Sequence, residues 1–336
     1  MSVSSGRVSL DRRSVFGALA AFAAIAAYPL IAVAQTGKTY RVAAVSIAGK
    51  PLADRFMNAF RDGLREYGYV VGRNLIFDVR YADGDASRLP ALVDELIALK
   101  PDVLAGSEAT VQIMKSRTSS LPIVLFVSSD PVGLGLAQSL ARPGGNVTGV
   151  STQSELIAPK HIEIMREILP RLSRIGLFVD PSAPGWKAGE ENARKAARAA
   201  GLDAVVYYVQ SRGDIEAAFA KMEKDRPDAL TMGNLSNVTF QFREVVFDNA
   251  LRLRIPVSVP SAMPDARSLF AFGPDGLQAF HDAARYVDRI LRGAKPGDLP
   301  IEQPTKFEMV VNLKTARALG LTIPQSVLLR ADRVIE

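Results

Sequence analysis

The feature that most constrains the fold is a regular alternation of short apolar runs and amphipathic segments, which occurs twice in succession along the chain. Runs such as "IVLFV" (123–127) and "IGLFV" (175–179) are apolar throughout, as expected for strands that helices cover on both faces. The segment 53–68 instead places Phe56 and Phe60 four residues apart, which predicts a helix with one buried face. Because strands that alternate with helices form parallel sheets, we predict an α/β protein.

The two rounds of alternation predict two similar domains that face each other. "PDVLAGSEAT" (101–110) and "PDALTMGNLS" (227–236) share a Pro-Asp entry, an apolar strand, and then glycine with a small polar residue. Within this pattern we predict one helix over 132–141 and another over 238–254. A further helix over 86–100 is predicted to have Ser87 as its N-cap.

The N-terminal segment predicts export. Arg12 and Arg13 precede residues 15–33, a run without charged residues that ends in an Ala-Val-Ala pattern at Ala34, as signal-peptidase sites do. We expect residues 1–34 to be a signal peptide that is cleaved near Ala34, which leaves a periplasmic protein. The arginine pair is compatible with the twin-arginine route. The alternative is a retained membrane anchor, for which the run is barely long enough.

The composition excludes several kinds of site. The chain has no cysteine, so disulfides, thiol catalysis, thiolate metal sites and a lipid-anchored cysteine are excluded. It has two histidines, His161 and His281, which argues against a multi-histidine metal site. Loss of residues 1–34 removes three arginines and one aspartate, so the net charge falls from +6 to +4. No block of like charges remains, and no nucleic-acid partner is expected.

Nucleotide and nucleophile motifs are also missing from the sequence. Gly133 and Gly135 resemble the start of a dinucleotide fingerprint, but Gln138 stands where the third glycine belongs. The chain contains neither Gly-x-x-x-x-Gly-Lys-Ser/Thr nor Gly-x-Ser-x-Gly. We therefore expect no cofactor, no metal and no enzymatic activity.

The ends of the predicted strands supply the expected ligand contacts. In doubly wound sheets, ligands bind beyond the carboxyl ends of the strands, where helix N-termini direct backbone N–H groups at the same place. Apart from one tryptophan, the residues predicted there are small or polar: Ser46, Ser107, Glu108, Ser128, Ser129, Asp130, Asp180, Trp186, Asn234 and Ser261. Such a set suits a small polar ligand with an anionic group.

Several of these residues also have a purely structural interpretation. Ser107 and Ser129 could cap helices. Asp130 could set the turn before the next proline or cap the helix predicted after it, and Asp180 has a similar alternative. Trp186 could stack on a ligand at the mouth of a cleft or pack against its own domain.

Three long segments carry a likeness to a known family. They are "FRDGLREYGYVVGRNLIFDVRYADGDASRLPAL" (60–92), "DPVGLGLAQSLARPGGNVTGVS" (130–151) and "DLPIEQPTKFEMVVNLKTARALGLTIPQSVLLRADRVIE" (298–336). These segments resemble the ABC-transporter substrate-binding proteins of the tryptophan-binding-protein type. The likeness covers residues 40–336.

The resemblance implies a type I periplasmic-binding-protein fold, in which two Rossmann-like parallel-sheet lobes, joined by a multi-strand hinge, close on one small molecule. It implies an N-terminal lobe at 38–148 plus 270–302 and a C-terminal lobe at 149–269 plus 303–336.

The resemblance also implies amino acids, aromatic ones in some cases, as ligands. The α-carboxylate would be held by Ser107 with Glu108 and by Ser128 with Ser129. In the second lobe, where acids or amides hold the ammonium group in such proteins, the matching candidates are Asp180 and Asn234.

The predicted function is therefore that of an exported solute-binding protein of an ABC importer, with an amino acid or a related small carboxylate as its ligand. We expect a monomer that docks on a membrane permease. Two alternatives stay open: a periplasmic ligand sensor that feeds a signalling receptor, and an exported hydrolase whose turnover depends on Ser107.

Overall fold

The structure is a computed structural model that describes residue 2 and residues 38–152, 154–183, 185–232, 236–261, 267–304 and 306–336. The predicted signal peptide therefore lies outside the described residues.

The first sheet has five parallel strands. The strands of this sheet are β1 (Tyr40–Ser46), β2 (Leu75–Tyr81), β3 (Val103–Gly106), β4 (Ile123–Ser128) and β5 (Val147–Ser151). They pair in the order β2-β1-β3-β4-β5, with every neighbour parallel. The helices that alternate with them are α1 (Lys50–Glu66), α2 (Leu89–Ala98) and α3 (Glu108–Arg117). We call this body the first lobe.

The second sheet has seven strands and one antiparallel pair. Its strands are β6 (Arg174–Val179), β7 (Asp203–Tyr208), β8 (Ala229–Thr231), β9 (Val257–Val259), β10 (Phe270–Pro274), β11 (Phe307–Asn312) and β12 (Arg333–Ile335). They pair in the order β12-β11-β10-β9-β8-β6-β7, and only β10 and β11 run antiparallel. We call the body built on this sheet the second lobe.

Seven described helices alternate with the strands of the second sheet or follow them, and an eighth returns to the first lobe. The helices of the second lobe and the returning helix α9 are, in chain order, α4 (Ser154–Ile168), α5 (Trp186–Ala199), α6 (Arg212–Asp225), α7 (Asn237–Gln241), α8 (Arg243–Arg252), α9 (Gly276–Leu291), α10 (Leu313–Leu319) and α11 (Gln325–Leu328). The predicted α/β fold with two parallel-sheet lobes is therefore confirmed. Within the described residues, none of the helices has the length and apolar content needed to span a bilayer.

The first lobe is completed by a helix that comes late in the chain. Phe60 and Leu64 of α1 are fully buried, and they pack with Phe126 of β4 and Tyr286 of α9 in one apolar cluster. Burial of each such side chain contributes on the order of 1.5–3 kcal/mol to folding. This burial explains why α9 leaves the second sheet and packs against α1.

The chain crosses between the lobes three times, and the crossings form the hinge. They lie between β5 and α4, between β10 and α9, and between Glu302 and β11. Glu302 still belongs to the first lobe, because its N–H donates to the Gly149 carbonyl (3.1 Å) and its carbonyl accepts from the Ser151 N–H (2.9 Å). β10 (Phe270–Pro274) pairs within the second sheet. The lobe boundaries implied by the resemblance instead place residues from 270 onward in the N-terminal lobe.

The predicted helix over 132–141 is wrong, because this segment folds as a series of turns. The Asp130 carboxylate accepts the backbone N–H of Gly133 at 2.7 Å, which closes a turn directly after β4. Gly135 then adopts a φ of 67°, in the left-handed region where glycine is favoured. The two glycines therefore serve a turn and do not precede a helix.

Two further local predictions are corrected. The cap before α2 is Asp85, whose carboxylate accepts the Ser87 N–H at 2.9 Å, so Ser87 is the donor in this cap and a short 3₁₀ turn (Ala86–Arg88) precedes the helix. The single helix predicted over 238–254 is two helices, α7 and α8, which meet at Phe242.

Candidate ligand-binding cleft

A cleft of about 340 Å³ lies between the two lobes. Its walls include the carboxyl ends of β1 and β4 in the first lobe and of β6 and β8 in the second lobe. This is the position at which open α/β sheets hold their ligands. The volume is that of a site for one small molecule.

Most of the residues predicted from the strand ends line this cleft. Those that do are Ser46, Ser107, Glu108, Ser128, Ser129, Asp180, Trp186 and Ser261. Asp130 does not line it, because its carboxylate faces the N–H of Gly133 in the turn after β4. Asn234 lies outside the described residues.

The carboxylate of Glu108 gathers the hydrogen-bond donors at the end of β4. Its Oε2 atom accepts the Ser128 hydroxyl at 2.5 Å, the Ser129 N–H at 2.6 Å and the Ser129 hydroxyl at 2.9 Å. Hydrogen bonds to a charged acceptor are about twice as strong as neutral ones. The structure thus pairs the serines predicted to hold a ligand's carboxylate with a carboxylate of the protein itself.

The hydroxyls of Ser107 and Ser261 have different roles. Ser107 is the N-cap residue of α3, yet its side chain makes no capping hydrogen bond, so the structural alternative for this residue is wrong. Ser261 is buried, and its hydroxyl donates to the carbonyl of Pro274 at the end of β10. Ser107 therefore offers a hydroxyl to the cleft, while Ser261 ties β10 to the strand before it.

Asp180 is held at the end of β6 by its own turn. Its Oδ1 atom accepts the N–H (2.9 Å) and the hydroxyl (2.5 Å) of Ser182. The other oxygen, Oδ2, accepts no hydrogen bond from a described residue, although Asp180 is only 7% exposed. Asp180 therefore both sets the turn and presents an acceptor to the cleft.

Trp186 forms part of the rim of the cleft in the second lobe. It is the first residue of α5, and its ring meets Tyr208 edge to face, with centroids 6.1 Å apart. Glu190, one turn along α5, accepts hydrogen bonds from Tyr208 Oη (3.0 Å) and from Arg194 Nε (2.7 Å). Trp186 thus lines the cleft and also packs within its own lobe.

The apolar wall of the cleft was not predicted from the sequence. Phe56 of α1 and Phe280 of α9 line it from the first lobe, with ring centroids 5.1 Å apart. Phe280 also stacks on the buried Phe126 at 4.3 Å, which fixes its orientation. Phe178 and Phe240 line the cleft from the second lobe. Aromatic side chains from both lobes therefore enclose the space.

The charged side chains that line the described part of the cleft are all acidic. They are Glu108, Asp180 and Glu190, and no lysine, arginine or histidine is among the described lining residues. Glu190 forms an ion pair with Arg194, which lies outside the cleft. The cleft thus combines aromatic walls with a negative charge.

The lobes approach each other closely at two points, the first of them beside the cleft residues Glu108 and Ser129. A Cβ atom added to Gly185 of the second lobe would lie 3.0 Å from the Ser129 hydroxyl oxygen and 3.9 Å from Glu108 Oε1. A Cβ added to Gly84 of the first lobe would lie 3.0 Å from Gln241 Oε1. Both glycines have positive φ.

His161, by contrast, is a buried structural residue of the second lobe. Its Nε2 lies 2.9 Å from the Phe272 carbonyl, which can only accept, so Nε2 carries the proton and Nδ1 faces the Ser258 hydroxyl at 2.9 Å. Burial lowers the pKa of His161 to about 4, so the ring is neutral at pH 7. Among the described residues, no group of three or more histidine, aspartate or glutamate side chains could hold a metal ion.

The comparisons with known proteins agree with this architecture. The chain is 24% identical over 273 residues to a tyrosine-binding protein of Clostridioides difficile, covering 81% of this chain and 78% of that protein. A conserved domain protein from Vibrio cholerae superposes with a TM-score of 0.82 at 30% identity, covering 88% of this chain and all of the other. An ABC domain from Streptococcus pneumoniae in complex with L-Trp superposes with a TM-score of 0.83 at 27% identity, covering 89% and 100%.

A family model described as ABC transporter substrate binding protein matches residues 41–335. This match confirms the resemblance seen in the three sequence segments. The chain belongs to the family of ABC transporter substrate-binding proteins.

Proposed function

We propose that this chain is the exported solute-binding component of an ABC importer and that it captures an aromatic amino acid, or a close derivative of one that keeps the amino group, between its lobes. Two relatives support the ligand class, since one is a tyrosine-binding protein and another was solved with L-Trp. The signal-peptide pattern of residues 1–34 supports export.

The observation that carries the proposal is the pairing of aromatic walls with acceptor oxygens in one cleft. Phe56 and Phe280 face the cleft from one lobe and Trp186 faces it from the other. An aromatic ligand gains both apolar burial and ring contacts in such a space. Asp180 supplies an acceptor for an ammonium group, so an amino acid is favoured over a small carboxylate that lacks one.

The proposed work of the protein is capture and release, without a chemical step. The serine hydroxyls at the end of β4 donate to Glu108, and that of Ser261 donates to a backbone carbonyl. His161 is enclosed in the second lobe, so none of these hydroxyls has a histidine base within the described cleft. Ligand contacts to both lobes would instead stabilise the closed arrangement of the hinge.

We further propose that the closed, loaded protein docks as a monomer on a membrane permease. A lobe arrangement that changes on closure lets a partner distinguish the loaded protein from the empty one. Chemical cross-linking to a membrane fraction of the source cell, with and without ligand, tests this step.

The experiment that tests the proposed function is isothermal titration calorimetry of the mature protein with a panel of amino acids. We expect sub-millimolar binding of at least one aromatic amino acid or a close derivative, and weaker binding of alanine and glutamate. Absence of binding across the whole panel would contradict the proposed ligand class.

A further inference from the structure

We infer that the ligand of this cleft is an aromatic or apolar primary amine whose carboxyl group is missing or neutralised, rather than a free amino acid. This inference rests on the proposed function, because it presupposes that the interlobe cleft captures one small molecule. It narrows the ligand from a zwitterion to a cation.

The end of β4 is where the family resemblance places the carboxylate of a ligand. The donors at the end of β4 are the hydroxyl of Ser128 and the hydroxyl and N–H of Ser129, and all three meet Glu108 Oε2 at 2.5–2.9 Å. A hydroxyl has one proton to donate, so neither serine can serve a second anion while Glu108 stays in place. The protein therefore supplies its own anion at this position.

Two helix N-termini, those of α3 and α5, lie close to the Glu108 carboxylate. Glu108 is the first residue of α3, whose N-terminal end favours a negative charge. Its free oxygen, Oε1, lies 3.9 Å from the position of a Cβ on Gly185, the N-cap residue of α5. The N-termini of α3 and α5 therefore already have the Glu108 carboxylate beside them.

The described lining of the cleft has an excess of acidic side chains. Glu108 and Asp180 form no ion pair with a described residue, because their recorded partners are hydroxyls and backbone N–H groups. Glu190 is offset by Arg194. With no basic side chain among the described lining residues, a second carboxylate would meet like charge without a counter-ion.

The carboxylates of Glu108 and Asp180 offer hydrogen-bond acceptors to a cation. Glu108 Oε1 and Asp180 Oδ2 accept no hydrogen bond from a described residue, so each lobe keeps an acceptor oxygen that an ammonium group can use. Aromatic faces attract cations and cover apolar carbon as well. The ligand class is thus a protonated amine attached to a flat apolar body.

The test compares matched probes that differ only in charge. Tyramine, tyrosine methyl ester, tyrosine and 3-(4-hydroxyphenyl)propionate are titrated into the wild-type protein by calorimetry, and the tryptamine series is run in parallel. We expect the amine and the ester to bind about tenfold or more tightly than the zwitterion, since juxtaposed like charges are strongly unfavourable. The propionate should not bind.

Glu108→Gln provides the second arm of the test, with Glu216→Gln on the exposed face of α6 as its matched control. We expect Glu108→Gln to lose the preference for the amine, and Glu216→Gln to keep it. Should Glu108→Gln fail to fold, Asp180→Asn takes its place, because it removes the acceptor from the other lobe.

The outcomes separate this inference from the proposed function. Tighter binding of tyrosine or tryptophan than of the corresponding amine overturns the inference and leaves amino-acid capture standing. Binding of neither the amines nor the amino acids overturns both.

Discussion

The backbone of Gly185 in the second lobe lies against the hydroxyl of Ser129 in the first lobe, so closely that a Cβ atom on Gly185 would come within 3.0 Å of Ser129 Oγ. Gly185 also has a φ of 69°, which a side chain disfavours. A glycine at this point therefore allows the two lobes to meet beside the cleft.

Gly185→Ala should weaken ligand binding by hindering closure. The left-handed conformation adds a cost of about 1–2 kcal/mol in stability. Gly201→Ala is the matched control, because Gly201 has a φ of 71° and no atom within 4 Å of its Cβ position. We expect both variants to lower the melting temperature, and only Gly185→Ala to lower affinity in calorimetry. Equal affinities for the two variants would contradict the closure role.

Acid should destabilise the protein through His161. Its pKa is about 4 in the folded state and 6.5 in the unfolded state, so the unfolded state binds the proton first as the pH falls. Above pH 6.5 the neutral His161 ring makes its full contribution to the free energy of unfolding. This contribution is lost progressively as the pH falls towards 4. At 1.36 kcal/mol per pKa unit, the loss is roughly 3 kcal/mol.

Urea unfolding between pH 7.5 and pH 4 measures this effect in the wild type and in His161→Gln, which cannot titrate. The difference in free energy of unfolding between them should shrink as the pH falls. His281→Gln serves as the control, because the His281 side chain is 29% exposed and its removal leaves the buried ring in place. Parallel curves for the wild type and His161→Gln would contradict the prediction.

Ligand binding should change the fluorescence of the protein, because its single tryptophan, Trp186, lines the cleft. Closure around a ligand removes water from the indole, so we expect the emission maximum to move to shorter wavelength. A titration with tyramine or tyrosine, excited where tyrosine does not absorb, measures the shift. Trp186→Phe should lose the signal while calorimetry still detects binding. An emission spectrum unchanged at saturation would show that the ring does not sense the ligand.

The serines of the cleft should separate into binding and structural residues. Ser107→Ala removes a hydroxyl without a capping role, so we expect a loss of affinity of about 1 kcal/mol and little change in stability. Ser261→Ala removes the donor to the Pro274 carbonyl, so we expect a loss of stability of about 1–3 kcal/mol. Thermal melts and calorimetry on both variants give the comparison, and the reverse pattern would contradict it.

Strand and helix order was predictable because apolar runs and amphipathic segments have different periods. The failure at 132–141 arose from turn chemistry, since the apolar spacing suited a helix while Asp130 bonded to Gly133 and closed a turn. The failure at 238–254 has no local explanation in the sequence, because both halves of the segment favour a helix.

The polar side of the cleft was largely predictable from strand ends, and the apolar side was not. The four-residue spacing places Phe56 on the same helix face as Phe60 and Leu64, and the latter two are buried. Phe56 sits nearer the start of the same helix, where the face reaches the cleft. Periodicity cannot tell a core position from a cleft position at the end of one face. The hydrogen bonds from Ser128 and Ser129 to Glu108 were likewise not predictable, because they depend on how the neighbouring strands β3 and β4 align.

The late position of α9 in the chain has a consequence for biosynthesis. Tyr286 and Val287 fill the interior of the first lobe, although the strands of that lobe are complete by Ser151. During translation the first lobe therefore keeps an uncovered apolar surface until α9 has been made, which comes after the strands of the second sheet up to β10. Neither lobe can be finished before Leu291, the end of α9, has been made, which leaves the nascent chain dependent on protection from aggregation for most of its synthesis.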